Sequence, residues 1–157
     1  MNEQCPIPKI LIAVDDSESS QRAIEHIACI ASKFKSISNI TLLHVDPASD
    51  KAKWVLDEGV HGDVVDQVDR IRKDRFNKLF EEAEAILEGH GIKKGVVKRK
   101  TKIGDPAKEI IKEAKRGEYT TIVLGKKSKS KIDEIFVGSV TKTVIDKARN
   151  FDIYVVE

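Results

Sequence analysis

Apolar residues fall along this chain in two alternating rhythms. Short continuous apolar runs occur at Lys9–Val14, Ile40–Val45, Thr120–Leu124 and Ile153–Val156. Runs of this length without alternation predict strands buried on both faces. Val96–Ile103 alternates instead, setting Val97, Arg99, Thr101 and Ile103 against Val96, Lys98, Lys100 and Lys102. Lysines on one face predict an edge strand. Helical spacing fills the gaps: Ala23, Ile27, Ile30, Ala31 and Phe34, then Val64, Val68, Ile71, Phe76, Leu79, Ala83, Ile86 and Leu87. It continues in Ala107, Ile110, Ile111 and Ala114, and in Val144, Ile145 and Ala148. Asp16 or Ser17 is placed to cap the first of these helices, and Gly89 and Gly91 to end the second. Asp105 with Pro106 is placed to open the third. Residues 48–62, with the lone Trp54, show no period and predict a long loop, either a lid or a contact surface.

Five strands alternating with four helices predict an α/β fold built on a parallel sheet. With 157 residues, no repeat and no linker, residues 1–157 are expected to form a single domain. The net charge of +2 gives no global argument for nucleic acid, and the few aromatics offer no stacking platform. No apolar run approaches membrane-spanning length, and the first residues lack a basic start and an apolar signal core. The chain therefore reads as cytoplasmic, with no membrane partner. Cys5 and Cys29 form no motif, and Cys29 is expected to be a small buried hydrophobe.

Ligands of open parallel sheets bind beyond the carboxyl ends of the strands, where strand order reverses. Here those ends are Asp15, Val45, Gly104 and Gly125. After Leu124 and Gly125 comes a lysine-rich loop, and then Gly138-Ser139-Val140-Thr141 opens a helix. Glycines let a backbone approach a phosphate, and a helix N-terminus offers free N–H groups and a positive dipole end. The spacing is neither the Walker loop nor the dinucleotide fingerprint. The plainer alternative is that these glycines only make turns.

With these residues in view, the chain resembles the universal stress protein family over nearly its whole length. The likeness rests on Lys-Ile-Leu-Ile-Ala-Val-Asp-x-Ser-Glu-x-Ser at 9–20, Leu-Leu-His-Val at 42–45, Gly-Asp-Pro at 104–106 and Val-Gly-Ser-Val-Thr at 137–141. The resemblance implies an open five-stranded parallel sheet of order 3-2-1-4-5 with helices on both faces, Rossmann-like and similar to adenine-nucleotide alpha hydrolases. It also implies ATP as ligand. ATP-binding members carry Gly, two residues, Gly, nine residues, then Gly-Ser or Gly-Thr. Here that frame falls on Gly125, Ser128, Gly138 and Ser139, with serine in place of the second glycine. The implied roles are adenine recognition by the Val45 backbone, and adenosine lining by Ala13, Val14 and Asp15, with the Asp15 carboxylate near the ribose. Gly104 and Leu124 would border the pocket. Gly125, Lys127 and Ser128 would approach ribose and phosphates, and Ser139, Val140 and Thr141 would hold phosphates at the helix start.

If position 128 needs a left-handed backbone, its side chain costs roughly 1–2 kcal/mol, about a tenfold loss of affinity. A serine hydroxyl could return part of that by donating to a phosphate. The alternative is a dimeric interaction module that has lost the nucleotide. Lys126 and Lys127 could neutralise a triphosphate, whereas Lys129 and Lys131 read as solvated loop residues. His26, His44, His61 and His90 lack metal-ligand spacing, and His44 reads as structural. No metal site is expected, although Asp15 could meet a nucleotide-bound magnesium; capping is the stronger explanation for Asp16. No nucleophile or base motif appears, so catalysis is expected to be absent or limited to slow ATP hydrolysis. A response-regulator receiver would need a phosphoacceptor after the third strand and a lysine after the fifth. Asp105 precedes proline there, and Glu157 follows the last strand. The last strand, Ile153–Val156, is apolar, and as a sheet edge it would pair with a second copy in a two-fold homodimer. The family resemblance implies the same. The downstream partner is not legible.

Overall fold

A computed structural model of the chain describes residues 7–33, 39–47, 62–126 and 138–157. The strands are β1 (Lys9–Ala13), β2 (Asn39–Asp46), β3 (Val97–Ile103), β4 (Thr121–Gly125) and β5 (Asp152–Val156). The helices among the described residues are α1 (Glu18–Ala31), α2 (Gly62–Gly89), α3 (Pro106–Arg116) and α4 (Ser139–Lys147), with a 3₁₀ turn at Lys94–Val96. The sheet order is β3-β2-β1-β4-β5, and every pairing is parallel, as the sequence predicts.

Two apolar clusters cover the two sheet faces. Ile10 and Ile12 of β1 join Ile40, Leu42 and Val123 beneath α1 and α2, where Ala23, Ile24, Ile27, Phe80, Ala83 and Leu87 close the layer. Leu11 points the other way and joins Leu43, Ile122 and Leu124 beneath Ile110 and Ala114 of α3 and Val144 of α4. The period of two along each strand divides these sets, so the central strands bury apolar side chains on both faces.

Local signals set the helix boundaries. The Asp105 side chain accepts the Lys108 N–H at 2.8 Å with Pro106 in the first turn, so Asp105 is the α3 cap. At the end of α2, the Gly91 N–H reaches Glu88 O at 2.8 Å and the Ile92 N–H reaches Leu87 O at 3.1 Å. With Gly91 at φ +83, this is a Schellman stop.

Three expectations need correction. Ser17, not Asp16, caps α1, accepting the Ser20 N–H; Asp16 instead pairs with Arg75 of α2. Cys29 is exposed, because the buried stripe of α1 runs through Ala23, Ile24, Ile27, Ala28 and Ala31 and leaves position 29 on the outer side. Val68 and Ile71 are 44% and 68% exposed, so the inward stripe of α2 begins only near Phe76. Phe34, Trp54 and the 48–61 segment lie outside the described residues.

β3 and β5 are both edges. The lysine face of β3 does not simply meet solvent. Lys100 and Lys102 converge on Glu113 of α3, a carboxylate only 3% exposed. The hydrogen bond from Lys100 to Glu113 raises the lysine pKa. Lys100→Met should therefore destabilise the fold by about 2 kcal/mol, since Glu113 would keep only Lys102, 3.8 Å away. Adding Glu113→Leu should recover most of that loss in urea unfolding. Equal stability of single and double variants would refute the compensation.

Candidate functional site

The switch in strand order lies between β1 and β4. β1 leads to α1 on one face and β4 leads to α4 on the other, so the two connections part beyond their carboxyl ends. Ala13 ends β1, half-buried. Val14 follows at 3% exposure and Asp15 is half-buried. Across the gap, Leu124 is buried at 3% and Gly125 closes β4.

β2 runs past this point. Its pairing with β1 stops at Ala13–Leu43, while its pairing with β3 continues to Asp46–Ile103. The Val14 N–H donates to Leu43 O at 2.9 Å, so the Leu43 carbonyl faces β1. Backbone groups two residues on face the same way. The N–H and C=O of Val45 thus point to the side that β1 has left, toward the crevice.

Hydrogen bonds fix the β1–α1 turn. Asp15 Oδ1 accepts from the Ser17 N–H at 2.9 Å and from the Ser17 hydroxyl. The Asp15 N–H donates to Ser20 Oγ at 3.0 Å. The Asp15 carboxylate is therefore held in a set orientation at the mouth of the crevice. His44 supports the turn from below: its Nδ1 lies 2.9 Å from Val14 O, and its ring packs on Phe76 with centroids 4.3 Å apart. This is the structural role its position in β2 suggests.

Gly125 has a packing reason of its own. A Cβ there would lie 2.5 Å from Ser19 C and O and 2.7 Å from Ser20 N. The first turn of α1 rests directly on this residue. Gly104 lies at φ +142 and donates to Asp46 O at 3.0 Å. It follows β3, two strands from β1, so it reaches the crevice only at its outer side, beside the end of β2.

The other candidate element at this end is α4. Parallel strands on either side require α4 to start at the carboxyl end of the sheet. Gly138 is its N-cap, with φ −54 and ψ 149 and no side chain to occupy the first-turn donors. The Lys142 N–H makes the first helical bond, to Gly138 O at 2.9 Å, which leaves Ser139, Val140 and Thr141 as the positions whose N–H groups have no intrahelical acceptor. Ser139 is exposed, Val140 half-buried and Thr141 buried. Lys126 turns away from this role: its Nζ donates to Glu157 Oε1 at 2.6 Å and lowers the Glu157 pKa. Lys127, Ser128 and the rest of the loop to residue 137 lie outside the described residues.

Two residues that the pattern did not single out also reach this end of the sheet. Arg72 of α2 binds Asp46, which is 6% exposed, and Arg75 binds Asp16. Nothing in their helical spacing distinguishes them from other surface arginines. A cleft of about 480 Å³ opens beside them, between Arg72, Phe76, Phe80 and Ile103, on the α2 side of β2 and β3. Among the described residues no three His, Cys, Asp or Glu side chains gather as a metal-binding group, and no helix is long and apolar enough to cross a membrane.

The profile of the Universal stress protein family matches residues 6–156. The chain is 34% identical over 149 residues to Universal stress protein MJ0577 of Methanocaldococcus jannaschii, covering 89% of each. The solved structure of MJ0577 superposes with a TM-score of 0.72 at 31% identity, over 95% of this chain and 94% of that one. A universal stress protein from Archaeoglobus fulgidus in complex with dAMP shares the fold, with a TM-score of 0.60 at 17% identity over 96% and 98% of the two chains. Another, in complex with cAMP, gives 0.61 at 19% identity over 96% of each. With the same strand order predicted and found, and with sequence likeness running from end to end, the chain belongs to the universal stress protein family.

Proposed function

We propose that the protein is a stress-linked regulator that binds ATP at the β1–β4 crevice as a homodimer, with little or no catalysis, in the cytoplasm. Residues 1–157 would act as one universal stress domain. The observation that carries this reading is the overhang of β2. It leaves a donor and an acceptor of Val45 facing a gap floored by Ala13, Val14 and Asp15. An adenine edge offers the matching acceptor and donor. The bare N-terminus of α4, on the same end of the sheet, suits phosphates. Asp15 would meet the ribose, Leu124 and Gly104 would border the pocket, and Gly125, Lys127 and Ser128 would approach the phosphates beside Ser139, Val140 and Thr141. The related structures with dAMP and cAMP favour an adenine nucleotide. Magnesium would arrive with the phosphates, with Asp15 as the nearest candidate carboxylate.

Two observations favour the second reading, a nucleotide-independent dimeric module. α1 alone accounts for Gly125, and the second glycine of the frame is Ser128. Calorimetric titration of the nucleotide-stripped protein with ATP, with and without magnesium, separates the two. Micromolar binding supports the first, and no heat supports the second.

The dimer is proposed through β5, an edge strand with Tyr154 and Val155 exposed at 44% and 38%. Proline at position 155 removes a backbone donor and interrupts edge pairing. Val155→Pro should sediment as a monomer, and a dimer that persists in that variant would exclude this interface.

A further inference from the structure

Charge is unevenly placed in this chain. Residues 93–116 hold ten lysines and arginines against three acids, a net +7 in a chain whose whole net charge is +2. The rest is therefore acidic on balance. Some of these cations are already engaged. Arg99 binds both oxygens of Glu84 at 2.6 Å on the α2 side, and Lys94 reaches Glu88. The alternation of β3 sends Lys98, Lys100 and Lys102 to the other face, toward α3.

There Lys100 and Lys102 share one carboxylate, that of Glu113. A single negative charge neutralises only one of them. Arg116 stands one turn further along α3, exposed, and forms no ion pair among the described residues. These three cations, with Glu113, Thr101 and Gly117, line a cleft of about 340 Å³. The cleft thus carries two uncompensated positive charges. Its lysines also differ from ordinary surface lysines. The buried Glu113 fixes the Lys100 ammonium by a hydrogen bond and draws Lys102 to 3.8 Å, so less side-chain freedom remains to be lost when an anion arrives. The raised pKa of Lys100 keeps it charged throughout the neutral range.

We propose that the cleft between β3 and α3 is a second binding site, for a small dianion of the phosphate class, as free phosphate or a phosphomonoester. A dianion balances the two excess charges, and the fork of Arg116 matches two phosphate oxygens. The volume falls at the small end of ligand pockets. The site lies on the β3 edge, two strands from the β1–β4 crevice, and does not depend on nucleotide binding there.

The test is an amide-resolved NMR titration of the full chain with inorganic phosphate and with glycerol phosphate, at ionic strength held constant with chloride. Both should shift the Thr101, Lys102 and Gly117 amides saturably. Lys102→Gln and Arg116→Gln should each weaken binding about tenfold. Both variants keep the Lys100–Glu113 pair, and their unshifted spectra report whether the fold is intact. The Gly138→Asp chain should bind phosphate here as the wild type does, which separates this site from the nucleotide crevice. Shifts that rise without saturation, or that survive both substitutions, would overturn the proposal. So would equal binding of succinate, or binding confined to a long polyanion or an acidic peptide.

Discussion

Gly125→Ala is expected to lose stability on a scale that a surface glycine never would. The added methyl would sit 2.5 Å from the backbone of Ser19 and 2.7 Å from that of Ser20, where ordinary contact needs nearly an ångström more. Neither neighbour is the end of a flexible side chain. Both belong to the first turn of α1, so relief requires the helix itself to lift. That turn is tied down by the Ser17 cap, by the Ser20 hydroxyl on the Asp15 N–H, and by Arg22 on the Glu157 carbonyl at 2.9 Å. Lifting it also opens the layer of Ala23, Ile24 and Ile27 over β1. Overpacking of this kind costs about 3 kcal/mol. In a chain of this size that lowers Tm by about 6–12 °C. Differential scanning calorimetry reads it directly. A wild-type Tm would mean that α1 rides more loosely on β4 than the structure places it, and would leave the glycine to be explained by a ligand.

This residue also marks where sequence reasoning stopped. Its strand and the end of that strand were legible, because a run of apolar residues closed by glycine has few other meanings. The contact that requires the glycine was not, because Ser19 lies more than one hundred positions earlier and nothing local links the two. The same division holds elsewhere. Asp105-Pro106 and Gly91 act within a few residues, and they bound helices as their chemistry demands. Edge strands were readable from the lysines of β3, but their partner was not. Glu113 occupies a charged position in a helix pattern, and only the packing of α3 on β3 shows that it is buried. Cys29 and Ile71 failed in the opposite sense. Apolar type suggested burial, while helix phase for Cys29 and the outward reach of α2 for Ile71 left them exposed. The crevice was placed by topology alone, since a parallel sheet of this order has one switch point. That the Val45 backbone faces it, through the extra length of β2 beyond β1, appears only in the register.

Gly138→Asp is expected to abolish micromolar ATP binding while leaving the fold intact, and the two halves of that expectation have separate causes. Gly138 has φ −54 and ψ 149, a conformation open to any residue. Aspartate is a better N-cap than glycine by a few tenths of a kcal/mol, and its charge suits the positive end of α4. Thermal stability should therefore stay level or rise slightly. The same carboxylate would take the N–H donors of the first turn that a phosphate needs. It would also stand about 5 Å from the bound phosphates, where a like charge costs roughly 3 kcal/mol at an effective dielectric of about 20. Affinity should fall by about two orders of magnitude. Gly138→Asn tests the electrostatic part: it caps as well but carries no charge, so it should lose only the share due to blocked donors. Calorimetric titration of the three proteins orders them wild type, Asn, Asp. Unchanged ATP affinity in the aspartate variant would remove α4 from the site and with it the phosphate half of the proposed function. Equal losses in both variants would leave α4 in place and assign the whole effect to the blocked donors.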